Sequence, residues 1–216
     1  MFNLVKILLL SMLLINSVYA ENSLKPAVTT PIPINQIKDY SLYPATIKKL
    51  IHEAWNLSRK NLTYQFGSAS PNNEGMDCSG AIFYLLTTLN VPDVPRDSKG
   101  MYEWVKKSGH FHKVYNQDFS SSEFSALKPG DLLFWTGTYA NQHPDAISHV
   151  MLYLGKTLQN KPIMFGSSDG RSYAGNKMWG VSVFDFLLPN DISTAKFIGY
   201  SCIPTLTCEK TVSHHR

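Results

Sequence analysis

Several signatures of metal and nucleotide chemistry are missing from this sequence of 216 residues. It contains no His-Glu-x-x-His, no Cys-x-x-Cys and no glycine-rich phosphate loop, and His110-x-His112 alone offers only a pair of ligands. No cofactor is called for. Charge of one sign is scarce too: 20 Lys and Arg face 16 Asp and Glu, a formal net charge of +4, with no basic run. That balance argues against a nucleic-acid partner, although it allows mild attraction to an anionic wall or membrane surface. Internal repeats are absent, and so is any apolar run long enough to span a bilayer. Cysteine is rare, with three residues. The remainder is ordinary: 44% hydrophobic, 17% charged and 12% aromatic, which excludes a disordered or collagen-like polymer and suits one globular domain.

The first 20 residues stand apart. Lys6 precedes the apolar stretch Ile7 to Ile15, and Val18 and Ala20 supply the small residues of a signal-peptidase site, so cleavage after Ala20 and export to the periplasm or medium are expected. No cysteine lies at that point to carry a lipid. In an oxidising compartment thiols normally pair, but three cannot all do so. Cys202 and Cys208, six positions apart, are expected to close a short loop, leaving Cys78 as an unpaired thiol.

Residues 21 to 44, with Pro26, Pro31, Pro33 and Pro44, read as an extended leader or linker. The domain is expected over residues 45 to 208, followed by a polar tail, 209 to 216, holding His214 and His215. Ile47, Leu50, Ile51, Ala54 and Trp55 recur at helical spacing and predict an amphipathic helix, with His52 off the stripe. A Gly, Ser, Asn and Pro-rich loop from Gly67 to Gly75 leads into Asp77 and a buried helix running from Cys78 to Leu89. Asp77 is a preferred N-cap type, so Cys78 falls in the first turn, where unpaired N–H groups and the helix dipole favour thiolate. Beyond the turn at Pro129-Gly130 the pattern changes to strands, at 131–136, 149–154, 162–165, 181–186 and 196–203. Helices followed by an antiparallel sheet define an α+β fold.

A thiol nucleophile needs a base within hydrogen-bond reach and a group that orients the base. Of the seven histidines, His149 alone opens an apolar strand, Ser148-His149-Val150-Met151-Leu152-Tyr153-Leu154-Gly155, where a sheet can hold the ring against a facing helix.

Together with Tyr64-Gln65-Phe66-Gly67, Met76-Asp77-Cys78-Ser79-Gly80, Val94-Pro95-Arg96-Asp97-Ser98 and the run 127–134, that strand completes an ordered set of segments over residues 45 to 203 that resembles the NlpC family of bacterial cell-wall cysteine peptidases. The resemblance implies a papain-like core, with N-terminal helices packed on a five- to six-stranded antiparallel sheet. It also implies hydrolysis of peptidoglycan stem peptides by a monomer, commonly between γ-D-glutamyl and a diamino acid. On the matching positions it makes Cys78 the nucleophile and His149 the base. It puts Tyr64, Asp77, Ser79 and Arg96 at the substrate, Asp77 capping the helix, contacting a substrate amine, or both. Ser98 belongs to the same cleft loop, but Met101 stands where the family often has glutamine.

The third polar residue departs from the pattern. The family usually places His, Asn or Gln on the strand after the base, and the stretch Pro162 to Tyr173 has none of them. The position opposite His149 is expected between Gly166 and Asp169, which makes Ser168, Asp169 or a backbone carbonyl the candidate partner of the imidazole. Two other readings remain open: a related thiol amidase or acyltransferase acting as a secreted effector, and a catalytically weak wall-binding protein.

Overall fold

A computed structural model describes residues 24–139, 143, 145–190 and 192–208. The expected signal peptide, residues 1–20, and the polar tail, 209–216, lie outside the described residues.

The fold is α+β. Helix α1 (Ala45–Ser58) starts immediately after Pro44 and buries Ile47, Leu50, Ile51, Ala54 and Leu57, while Trp55 stays at the rim of its stripe. Helix α2 (Cys78–Thr88) buries seven residues, from Cys78 to Leu86. Its closeness to neighbouring backbone is set at Gly80, where an added Cβ would lie 2.1 Å from the Ser68 carbonyl oxygen. Helix α3 (Ser98–Lys107), in the stretch between Arg96 and Leu127, is capped by Asp97, whose Oδ1 accepts from the Gly100 N–H at 2.9 Å.

Short strands β1 (Thr63–Tyr64) and β2 (Gly75–Met76) pair in parallel ahead of α2. The main sheet contains β3 (His112–Lys113), β4 (Leu132–Thr136), β5 (Ile147–Lys156), β6 (Pro162–Ser168), β9 (Gly180–Asp185) and β10 (Lys196–Ser201). Its order is β3-β10-β4-β5-β6-β9, antiparallel throughout. A hairpin of β7 (Ser172–Tyr173) and β8 (Asn176–Lys177) joins β6 to β9.

The strands are apolar on both faces because both are covered. Phe134, Val150, Leu152, Phe165 and Val183 face the helices, with Leu50, Ile82, Leu85 and Met101 opposite them. The alternate residues Leu133, Trp135, Met151, Tyr153, Met164 and Phe184 face a second, aromatic cluster closed by Phe124, Phe186, Phe197 and Tyr200. This is the period-2 logic of a pleated sheet, and each such side chain adds roughly 1.5–3 kcal/mol on full burial. Register shifts interrupt it at Phe197/Gly199, at Tyr153/Gly155 and at Trp135/Thr136; in the last, Trp135 faces His149 but Thr136 faces Ile147, so Ser148 is skipped. Bulges re-aim neighbouring side chains, and the next residue is His149.

Residues 24–44, expected as an extended leader, contain two 3-10 turns, Ile34–Gln36 and Tyr40–Leu42, and are not detached from the domain. Val28 bridges to Trp179, Thr30 accepts from the Val183 N–H at 3.1 Å, and Ile32 and Ile37 are buried at 1% and 4% exposure. The segment thereby covers the free edge of β9, an edge that would otherwise present unpaired backbone groups. Near the other end of the chain Cys202 and Cys208 are joined in a disulfide, while Cys78 is a free, buried thiol. Among the described residues, no helix is long and apolar enough to cross a membrane.

Candidate active site

Cys78 is held by the segments on either side of it. Upstream, β2 is pinned twice: the Gln65 N–H donates to the Met76 carbonyl at 3.2 Å, and Ser167 Oγ of β6 donates to the same oxygen at 2.6 Å. Asp77 then caps α2, its Oδ1 accepting from the Gly80 N–H at 2.5 Å. The same carboxylate accepts from the Gly67 N–H at 2.9 Å and Ser79 Oγ at 3.1 Å. It also takes a two-pronged ion pair from Arg96, Nη1 to Oδ1 at 3.1 Å and Nη2 to Oδ2 at 2.9 Å. A carboxylate offers about four lone-pair sites, and these five donors occupy them. Of the two roles open to Asp77, the structure displays the cap. Arg96 Nη1 additionally donates to Ser79 Oγ at 3.1 Å, so Asp77, Ser79 and Arg96 form one connected cluster beside the thiol.

The sulfur reaches the sheet. Backbone N–H groups of Val150 and Ser79 donate toward Cys78 Sγ, and Val150 follows His149 in β5. Thus the start of α2 meets the start of β5. The protonation chemistry differs from the expectation of an activated thiolate. Burial, with the Asp77 charge behind it, pushes the Cys78 thiol up to about 11, outweighing the two N–H donors and the positive Arg171. Burial also holds His149 well below the usual imidazole range, and Arg171 lowers it further. The physical reason is desolvation: a helix terminus supplies a partial charge, but burial away from bulk solvent disfavours a full one. Thiol and imidazole are therefore both neutral at rest.

Nothing among the described residues hydrogen-bonds the imidazole side chain, whose Nε2 is buried and without a partner. Continuing the β5–β6 register from Leu152 opposite Phe165 brings Ser168 across from His149. Ser168 and Asp169 line the same cavity of about 500 Å³ as His149, yet neither bonds to the ring. Instead Trp135, cross-strand from His149, packs against the imidazole in a T-shaped arrangement with ring centres 5.8 Å apart. The other face of the site is a second cavity, of about 510 Å³, bordered by Phe66, Asp77, Cys78, Ser79 and Arg96. Tyr139 stands on the rim of both.

Tyr64 reaches the site from β1. Its hydroxyl and that of Tyr139 are 2.8 Å apart, and Phe66, 78% exposed, packs edge-on to Tyr139. Burial raises both phenols, Tyr139 to about 12, so both are neutral hydrogen-bonding groups at physiological pH.

Two neighbours escaped the sequence reading. Tyr139 lies in the β4–β5 connection, where no periodicity marks it. Arg171 follows Asp169-Gly170 in what reads as a plain turn, but its guanidinium lies over the Trp135 ring at 4.4 Å from the ring centre. Only a fold-level contact with Trp135, 36 positions earlier, could have drawn attention to it.

Residues 61–178, more than half of the chain, match the sequence profile of the NlpC/P60 family. The chain belongs to the NlpC/P60 family. It is 29% identical over 115 residues to murein DD-endopeptidase MepH of Escherichia coli (strain K12), the matched part covering 52% of this chain and 36% of that relative. This NlpC/P60 chain therefore spans about a third of the length of the curated relative it matches. Among solved structures, a lipoprotein-like NLP/P60 family protein from Staphylococcus aureus subsp. aureus Mu50 aligns with a TM-score of 0.46 and 19% identity, over 77% of this chain and 43% of that one.

One group of metal-ligand types occurs among the described residues of this NlpC/P60 domain, His110 with Cys202 and Cys208, all within 4.8 Å. The two sulfurs are bonded to each other, so while the disulfide is intact they offer no thiolates.

Proposed function

We propose that this domain is an exported cysteine peptidase that hydrolyses amide bonds in peptidoglycan stem peptides, with Cys78 as nucleophile and His149 as base. What carries the reading is the Cys78 sulfur at the start of a capped helix, receiving the N–H of Val150, the residue next to a neutral, enclosed His149. The printed name of the Escherichia coli relative, a murein DD-endopeptidase, supports the substrate class.

The resting charges set the order of events. A neutral imidazole takes the Cys78 proton as the sulfur attacks the scissile carbonyl, so thiolate and imidazolium arise together with the substrate in place. The oxyanion of the tetrahedral intermediate falls near the first turn of α2, where the Cys78 N–H has no helical acceptor. His149 then gives its proton to the leaving amine, a thioester remains on Cys78, and water activated by the same imidazole releases the acid and restores the thiol. Tyr64 and Tyr139 supply neutral hydroxyls beside the substrate. Asp77 acts through position, holding Ser79, Gly80 and Arg96 around the nucleophile.

The bond common in the family, γ-D-glutamyl to a diamino acid, is the first candidate. A D,D cross-link is the second, suggested by the relative's name. Purified muropeptides digested by wild type and analysed by mass spectrometry separate the two, with Cys78→Ala as the control. The variant is expected to lose essentially all turnover; equal digestion by variant and wild type would sink the proposal.

A further inference from the structure

Arg171 is the unusual charge in this molecule. Arg171 is half-buried, and desolvation brings its guanidinium down to about 10. Yet the one ion pair within 4.0 Å among the described residues is Arg96 with Asp77. Asp169, on the same cavity wall, is near enough to act on Arg171 electrostatically without pairing. The Arg171 guanidinium lies over the Trp135 ring at 4.4 Å from its centre, while the Arg171 backbone carbonyl is fixed by the Met178 N–H at 2.8 Å. A guanidinium stacked on an indole keeps its N–H edge directed outward in the ring plane, and that edge is built for two-pronged recognition of a carboxylate. Partly desolvating a cation without a bonded counter-charge is costly, and its position on the wall of a cavity indicates where a counter-charge can enter.

The location of that cavity says which part of a substrate it receives. The site is divided: the Cys78 cavity holds Asp77, Ser79 and Arg96, the His149 cavity holds Ser168, Asp169 and Arg171, and Tyr139 separates them. In thiol acyl transfer the acyl group stays on sulfur, while the base hands its proton to the departing amine. The amine side of the cleaved bond must therefore lie on the His149 side, beside Arg171.

We infer that Arg171 forms a carboxylate-binding subsite for the leaving-amine half of the substrate, selecting amides whose amine carbon carries a free carboxylate. This deepens the proposed function and rests on it for the direction in which the substrate lies. It favours a diamino acid with a free acid group next to the released amine over the same residue amidated or extended there. A two-pronged pair between a guanidinium and a carboxylate is among the stronger hydrogen-bonded contacts.

The test separates binding from turnover. Full-length Cys78→Ala protein is titrated calorimetrically with two ligands, L-Ala-γ-D-Glu-diaminopimelate with a free carboxylate beside the linked amine, and the same compound carrying a carboxamide there. The acid is expected to bind at least about tenfold more tightly. Adding Arg171→Gln, or Arg171→Met to keep an apolar stem over Trp135, is expected to remove the difference. Equal binding of acid and amide overturns the inference without needing any Arg171 variant, as does a preference that survives both substitutions. Preferential binding of the acid combined with no hydrolysis by Cys78-containing protein supports the subsite and overturns the peptidase reading instead.

Discussion

Cys78 receives opposing instructions from its surroundings. The start of a helix and two backbone N–H donors favour the thiolate, but desolvation and the neighbouring Asp77 prevail, leaving a thiol that ionises near 11. This separates the molecule from thiol enzymes that rest as a preformed ion pair. In ligand-free protein the rate of Cys78 alkylation by iodoacetamide is expected to climb steadily from pH 8 toward 11, and at pH 7 to fall below that of a free cysteine. A plateau reached below pH 8 would mean a resting thiolate and would contradict the order of proton transfer given above. The candidates proposed as nucleophile and base were legible in the sequence, because an unpaired cysteine after a capping aspartate and a histidine opening an apolar strand are local patterns. Their protonation states were not, since enclosure depends on what the rest of the chain places around them. Arg171 was illegible for the same reason: its significance comes from Trp135, brought beside it by the β4–β5–β6 pairing.

At the level of elements, the start of helix α2 is held by one carboxylate that accepts five hydrogen bonds from Gly67, Ser79, Gly80 and Arg96. Asp77→Ala deletes the cap and leaves these donors unmatched, and it is expected to lower unfolding free energy by about 2–3 kcal/mol in urea titrations. Arg96 is partly exposed, with 36% of its side-chain surface accessible, so Arg96→Gln should cost no more than about 1 kcal/mol. A larger loss for Arg96→Gln than for Asp77→Ala would show that the ion pair, not the cap, holds the helix start. Elements with strong local patterns were readable from the sequence: α1 by its stripe, α2 by its capping aspartate and apolar run, and β4, β5, β6, β9 and β10 by apolar runs. Helix α3 was not, because it buries only Met101 and Val105 and is otherwise polar. The segment 24–44 read as a leader because its prolines suppress any period, yet Ile32 and Ile37 enter the core and Val28 to Thr30 cover the edge of β9. The bulge that skips Ser148 also has no local signature; it follows from Thr138, whose N–H and Oγ1 donate to Ser148 Oγ at 3.0 and 2.7 Å.

For the molecule as a whole, two buried groups make stability depend on pH in opposite senses. Asp131, at the turn into β4, is raised to about 6 by burial, with the Lys128 N–H and charge pulling it down less strongly. Its native state holds a proton that an unfolded carboxyl releases near 3.9, so its contribution is complete below about pH 4 and is lost as pH rises to 6. That amounts to on the order of 2–3 kcal/mol. His149 is depressed, so the unfolded chain binds a proton that the native ring refuses, and stability falls as pH drops below about 6.5. Between pH 4 and 6.5 the two slopes oppose each other, and a flat wild-type curve would conceal both. Single substitutions expose them. In Asp131→Asn, whose amide oxygen can still accept the Lys128 N–H at the position where Oδ2 accepts it at 2.8 Å, the histidine slope remains and stability should rise with pH across this window. In His149→Gln the carboxyl slope remains and stability should fall. Urea denaturation midpoints at half-unit intervals from pH 4 to 7 measure both. Parallel curves for wild type and the two variants would mean that neither group is buried in the protonation state its surroundings dictate, and the neutral resting pair proposed for Cys78 and His149 would lose its basis with them.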